Sequence, residues 1–261
     1  MAQGPQRMVR KSGVSPEEMI FGTRTVIEAL LAGQELDKVF VQQRLENDLI
    51  RELLQACKDH QTPVLRVPVE KLNRFTRKNH QGVVALKAAV SYASLDHIIQ
   101  QAFEKGESPL LVMLDRVTDV RNFGAIARSA ECAGAHGIII PAKGGAQINS
   151  DAVKTSAGAL HHIPVCREEY LKNTIQYLQS SGIPVVACSE KAEKNMYEVD
   201  FSGPVCLLMG SEEDGISPAY LELADDHTLI PMYGKIASLN VSVATSVLLF
   251  ESQRQRNFQA N

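Results

Sequence analysis

Apolar residues in this chain fall into two kinds of spacing. Unbroken runs such as Leu110-Leu111-Val112-Met113-Leu114 and Val205-Cys206-Leu207-Leu208-Met209 lack the alternation of a half-exposed strand, and so predict parallel strands covered on both faces. Strands are expected over residues 110–114, 137–140, 184–188, 205–209 and 228–230. Between them, helical spacing covers residues 123–133, 151–159, 168–180 and 218–223. This alternation predicts an α/β domain with a parallel sheet and helices on both faces. A last helix over 240–253 is apolar nearly all round in its first turns (Val241, Val243, Ala244, Val247, Leu248), which predicts burial.

A smaller alternating α/β module precedes it. Helices are expected over 23–32 and 46–60 and near Lys71, with strands over 39–41, 64–67 and 83–86. Residues 1–18 form a polar, basic tail without apolar periodicity, expected to be mobile. The expected organisation is therefore this tail, a front module over 19–90, a helix-containing connector over 91–107 closed by Gly106 and Pro109, and a main domain over 108–261.

With 261 residues and 44% hydrophobic content, the chain can fill one large or two small cores without metal or disulfide staples. Its five cysteines (Cys57, Cys132, Cys166, Cys188, Cys206) have no CxxC spacing and read as reduced core residues of a cytoplasmic protein. No apolar run approaches the roughly 20 residues of a membrane helix, and no secretory pattern opens the chain. The net charge of -3 is uneven. Residues 1–90 carry 14 Lys+Arg against 10 Asp+Glu, and the remainder carries 13 against 20. A basic front on an acidic rear suits a polyanion held by one domain while the other does something else. Within the front, Arg66, Lys71, Arg74, Arg77, Lys78 and His80 crowd around one counter-charge, Glu70. The cluster suits contacts to phosphates, with a solvated helix face as the alternative.

Several common sites are absent. There is no GxxxxGK[ST] loop, HExxH, GxSxG elbow or well-placed GxGxxG, which removes the nicotinamide dehydrogenase reading of a doubly wound sheet. The adjacent pair His161-His162 lacks a suitably spaced third ligand, so no metal is expected. Three strand-end segments remain. After residues 110–114 come Asn122, read as a helix N-cap, Gly124, which lets another backbone approach, and Arg128 on the first turns of the helix. An ordinary turn with a surface arginine would look the same. After 205–209 come Gly210, the acids Glu212, Glu213 and Asp214, and Gly215, where bare backbone suits a nucleoside and the acids equally suit a helix N-terminus. After 228–230, Ser238 and Asn240 stand before the last helix, as capping residues do.

In order, N-F-G-A-I-A-R-S-A, L-M-G-S-E-x-x-G-I and I-P-M-x-G-x-x-x-S-L-N-V-S-V-A resemble the three motifs of the SpoU branch of the SPOUT RNA methyltransferases. Phe21-Gly22 leading to Val26 and Glu28-Ala29-Leu30, with His80-Gln81-Gly82 before a strand, is similar to the RNA-binding module of that family, itself like ribosomal protein L30e. The resemblance implies a deep trefoil knot, a homodimer with the site at the subunit interface, and transfer of a methyl group from S-adenosylmethionine to an RNA 2′-hydroxyl without a metal. Members with a front module of this kind imply a guanosine of 23S ribosomal RNA, or of a ribosomal precursor particle, as substrate; related enzymes act on transfer RNA, and an inactive RNA-binding assembly factor is the rival from another class. Asn122, Arg128, Glu212, Ser238 and Asn240 fall on the catalytic positions of the family. Gly210, Ile230 and Leu239 fall on its donor-holding positions, with Ser189 and Pro231 expected to line the same pocket. The family's usual candidate base is the arginine, yet a free guanidinium is a poor base at neutral pH. Arg128 is therefore expected to hold a phosphate and the developing alkoxide, and Glu212 to orient. Val120 replaces a proline common in the family's D-P-x-N turn, a change that removes no functional group.

Overall fold

The structure, a computed structural model, describes residues 18–146 and 148–258, so nearly all of the expected basic tail lies outside the described residues. The chain divides between Ala88 and Ala89 into two compact units.

In the first unit, strands β1 (Met19–Phe21), β2 (Leu36–Gln42), β3 (Val64–Val67) and β4 (Val83–Lys87) form a sheet ordered β1-β4-β2-β3. β4 runs antiparallel to both neighbours, and β2 and β3 are parallel. Helices α1 (Thr23–Leu31) and α2 (Asp48–Asp59) cover one face. The α2 stripe Ile50, Leu53, Ala56 and Cys57 packs with Val26, Ile27 and Leu30 of α1 onto Val39, Val41, Val83 and Ala85. This helix starts later than its periodicity suggests because Asn47 caps it, its side chain accepting from the Ile50 N–H at 2.8 Å. Short α3 (Val69–Phe75) covers the other face through Leu72. The unexpected β1 is a three-residue edge strand, too short for its pattern to show.

In the second unit, β5 (Leu110–Leu114), β6 (Gly137–Pro141), β7 (Val165–Glu168), β8 (Val185–Cys188), β9 (Val205–Met209) and β10 (Asp226–Thr228) form one sheet in the order β10-β8-β9-β5-β6-β7. Every pairing is parallel. Side chains of β5 alternate between two cores. Leu110, Val112 and Leu114 pack with α5 (Val120–Cys132), α6 (Ser150–Thr155) and α9 (Val241–Asn257). Leu111 and Met113 pack with α4 (Leu95–Glu104) and α7 (Leu171–Ser180), beside α8 (Pro218–Leu221). Fully burying side chains such as Phe123 and Ile126 of α5 contributes about 1.5–3 kcal/mol each.

Several expectations are corrected. The connector over 91–107 is a core element, since α4 buries Leu95, Ile98, Ile99 and Ala102 against the main sheet. Residues 165–168, left unassigned or placed in a helix, are the edge strand β7, and α7 begins only at Leu171. The last strand lies at Asp226–Thr228 rather than 228–230. Asn122 is not the cap of α5. Asp119 is, its carboxylate accepting from the N–H groups of Arg121 and Asn122, which leaves the Asn122 side chain free to point elsewhere. Cys132 is exposed, whereas Cys57, Cys166 and Cys206 are buried. Burial pushes the Cys57 thiol up to about 11 and the Cys166 thiol to about 12, so these remain neutral core groups. The terminal helix is buried along one stripe only. Val243 and Phe250 on α9 are 47% and 54% exposed, so its second apolar face has no cover among the described residues.

The strand order fixes where a site can open. From β5 the chain proceeds to β6 on one side, while from β9, the neighbour of β5, it proceeds to β10 on the far side of β8. Adjacent strands whose connections leave in opposite directions create a crevice at their carboxyl ends. Gly124 serves this geometry: a Cβ there would sit 2.7 Å from the Thr155 Cβ and 2.9 Å from the Ala152 carbonyl oxygen, so its absence lets α6 lie against α5.

Candidate functional site

Above that crevice, side chains from three separate loops meet. Asn122, on the first turn of α5, donates through Nδ2 to Glu212 Oε1 at 2.6 Å. Asn240, at the N-cap of α9, donates through Nδ2 to the same Oε1 at 2.7 Å and to Asn122 Oδ1 at 3.1 Å. The Asn240 Oδ1 is itself held by the Ser242 N–H and hydroxyl at 3.0 and 2.6 Å, so the cap that starts α9 also orients the amide. This closed triangle uses one Glu212 oxygen and leaves Oε2 without a partner among the described residues. Arg128 and Ser238 are exposed and are not joined to the triangle by any hydrogen bond. Arg128 lies six residues beyond Asn122 on the same helix, with its guanidinium unengaged among the described residues.

A cavity of about 320 Å³ adjoins the triangle. Gly210, Ile230, Leu239 and Ser189 line it, while Pro231 does not. Sequence reasoning missed further walls: Met209, Thr228 and Leu229 at the strand ends, Cys188, and the α9 residues Val241, Ala244 and Leu248. The spacing of Val241, Ala244 and Leu248 marks one helical face, which was the available signal. Four carboxylates, Glu190, Glu212, Glu213 and Asp214, stand on its lining against one cation, Lys191. The floor is apolar. Burial raises the Cys188 thiol strongly, so it lines the cavity as a neutral group. Beneath the cavity the Thr228 hydroxyl is fully buried and has no hydrogen-bond partner among the described residues, an orphan that costs about 1–3 kcal/mol unless it finds one. Gly210, on the cavity lining, has a structural duty as well. Its missing side chain makes room for the backbone of Gly215 and Ile216, which folds back across it. Gly215, with φ +68°, supplies the left-handed turn.

In the first unit, Lys71, Arg74, Arg77 and Lys78 are exposed along α3 and the loop that follows. The Lys71 ammonium lies 5.3 Å from the centre of the Phe40 ring. Arg66 is also exposed, but its Nη1 donates to the carbonyls of Gln42 and Leu45. His80 differs from its expected role as a surface cation. It is buried, its Nδ1 accepts from the Gly82 N–H at 3.0 Å and its Nε2 lies 3.0 Å from Asn73 Oδ1, so it braces the turn before β4. Among the described residues no group of three or more His, Cys, Asp or Glu side chains is placed to hold a metal ion, and no helix is long and apolar enough to cross a membrane.

This arrangement, three loops converging at the carboxyl ends of a parallel sheet, is accompanied by a match of residues 109–250 to the SpoU rRNA Methylase family. The chain belongs to that family. Residues 19–93 match a second family, RNA 2′-O ribose methyltransferase substrate binding. A Bacillus subtilis (strain 168) protein assigned to the TrmH family of tRNA/rRNA methyltransferases is 35% identical over 240 residues, covering 92% of this chain and 96% of that one. An AdoMet-bound rRNA methyltransferase from Sinorhizobium meliloti superposes with a TM-score of 0.58 at 29% identity, covering 92% of this chain and 88% of that one. The A. aeolicus TrmH/SpoU tRNA modifying enzyme superposes with a TM-score of 0.53 at 33% identity, covering 84% of its own chain but 62% of this one.

Proposed function

We propose that this SpoU family protein transfers a methyl group from S-adenosylmethionine to a ribose 2′-hydroxyl of RNA, and that its target is a guanosine of 23S ribosomal RNA. The observation that carries the reaction is the Asn122–Glu212–Asn240 triangle beside an acidic-rimmed, apolar-floored cavity. The lining fits the donor. Its carboxylates suit a cation and ribose hydroxyls, its apolar floor suits an adenine, and Thr228 offers a hydroxyl in need of a partner. When bound, S-adenosylmethionine supplies an activated methyl on a positive sulfur.

The protein's own groups then align and compensate charge. The triangle locks Glu212 against two amides, which suits orientation of a hydroxyl rather than proton removal. Arg128, exposed and unengaged among the described residues, is placed to grip the phosphate next to the target ribose and to stabilise the alkoxide as it develops. Ser238, on the cavity lining two residues before Asn240, belongs to the same mouth. Alignment of two bound reactants supplies much of the acceleration in such an in-line displacement. RNA is selected because DNA lacks the hydroxyl.

Two further parts of the reading rest on exposed surfaces. Residues 232–240 are exposed throughout, and Met232, Tyr233, Ile236 and Leu239 join Val243 and Phe250 of α9 as exposed apolar side chains. A second copy of the chain is the proposed cover, making the active form a homodimer with the site at its interface; the trefoil knot belongs to the same reading. The exposed cations Lys71, Arg74, Arg77 and Lys78 are the proposed RNA grip, with Arg66 beside them. Ribosomal RNA is favoured over transfer RNA by the front unit, since the tRNA modifying enzyme corresponds to only 62% of this chain while the rRNA methyltransferase corresponds to 92%.

Mapping of 2′-O-methyl groups in a strain lacking the protein tests this choice. One guanosine of 23S ribosomal RNA is expected to lose its methyl group and regain it on complementation. Loss confined to transfer RNA would overturn the assignment.

A further inference from the structure

The loop that carries Glu212 is a tight hairpin. Ser211 and Gly215 exchange both backbone hydrogen bonds at 3.0 Å, and the Asp214 N–H donates to the Ser211 hydroxyl oxygen at 3.1 Å. Glu212 at its tip meets Asn122 and Asn240 to within hydrogen-bond distance, so the angle of the hairpin to the sheet has to be held. One constraint comes from the end of β5. There Arg116 adopts a left-handed backbone, φ +57°, unfavourable for a side chain of its size and sustained only where its contacts demand it.

Those contacts are a fork. Arg116 Nε donates to Asp115 Oδ1 at 3.1 Å and Nη2 approaches Asp115 Oδ2 at 3.4 Å. Its Nη1 donates to Asp214 Oδ2 at 3.1 Å, and Nη2 also donates to the Gly215 carbonyl at 3.3 Å. Asp115, with a side chain only 3% exposed, accepts from both the N–H and the hydroxyl of Ser217 at 2.6 Å. The pair therefore grips the returning arm of the Glu212 loop, at Asp214 and Gly215 and again at Ser217. Asp214 is 69% exposed, so its arm alone is weak; the arm to buried Asp115 and the carbonyl bond give the clamp its stiffness.

We propose that Arg116, working through Asp115, is a positioning residue that sets the Glu212 loop and with it one wall of the donor cavity. It touches neither reactant. Lysine could replace its charge but not its fork, which needs donors aimed at two carboxylates and a carbonyl at once. This inference rests on the reading of that cavity as the S-adenosylmethionine site.

The test compares wild type, Arg116→Ala, Arg116→Lys and Asp214→Asn by steady-state kinetics and by hydrogen exchange of the loop amides. Arg116→Ala is expected to raise the KM for S-adenosylmethionine about tenfold with the KM for RNA unchanged, and to speed exchange at residues 211–217. Arg116→Lys should fall between it and wild type. If Arg116→Ala fails to fold, Asp214→Asn, altered at an exposed site, is expected to raise the donor KM two- to threefold. Unchanged exchange and donor KM, or equal rises in both KM values, would overturn the proposal. Absence of donor binding by wild type would instead refute the functional reading, while the exchange measurement would still decide whether the clamp exists.

Discussion

Arg128→Ala is expected to lower the rate of RNA methylation by about 100- to 1,000-fold, the loss seen when a group that stabilises developing oxyanion charge is removed. The protein should otherwise be intact. Arg128 is exposed and has no partner among the described residues to leave stranded, so stability should change by no more than about 0.5 kcal/mol. It does not line the cavity, so calorimetry should find S-adenosylmethionine bound as in wild type. Arg128→Lys should recover part of the rate, because a point charge attracts a phosphate without matching it bidentately. The comparison of turnover with donor affinity separates the roles. A surface arginine of no consequence would leave both unchanged, and an arginine that shapes the cavity would lower both.

Gly210→Ala is expected to act on the other reactant. The added carbon would meet the Gly215 carbonyl carbon and the Ile216 nitrogen well inside van der Waals contact, and these are backbone atoms that cannot swing aside. Overpacking of this kind costs about 1–3 kcal/mol even where side chains yield. Here the hairpin must move, taking Glu212 from Asn122 and Asn240 and opening the cavity wall. Donor affinity should fall more than tenfold and methylation with it. RNA binding through the first unit should survive, since its sheet and basic residues are built without this loop. Gel-shift and calorimetric titrations of the same preparation check both halves of the expectation.

The two results differ in how far the sequence alone could anticipate them. The sheet is legible because β5 and β9 are apolar without interruption, a pattern that only strands covered on both faces can use. β7 is hidden because Arg167 and Glu168 at an edge position break its pattern after two apolar residues. The α4 stripe Leu95, Ile98, Ile99 and Ala102 is visible, but its place between Ser91 and Gly106 reads as a connector, and spacing alone does not say which core receives it. Apolarity all round α9 implies cover on every side without saying that Val243 and Phe250 lack that cover among the described residues.

Within the site, Asn122, Glu212 and Asn240 stand out as polar residues at strand ends, whereas their meeting is a property of the strand order. Their hydrogen bonds span 28, 90 and 118 residues, which no local pattern encodes. Arg116 and Asp115 are less legible still. Their partners lie 98 to 102 residues away, and an Asp-Arg pair after a strand looks like an ordinary polar turn. Residues whose work is to hold a loop are read from contacts, whereas residues that meet a reactant leave a motif.

The protein is expected to move a methyl group from a sulfonium donor to a sugar oxygen of RNA. Incubation of the purified protein with S-adenosylmethionine labelled in the methyl group and unmodified 23S ribosomal RNA, followed by alkaline hydrolysis, tests it most directly. The label is expected in an alkali-resistant dinucleotide beginning with guanosine, because a methylated 2′-oxygen cannot attack the neighbouring phosphate. Label released in mononucleotides, as a methylated base would give, or no transfer at all, would contradict the account.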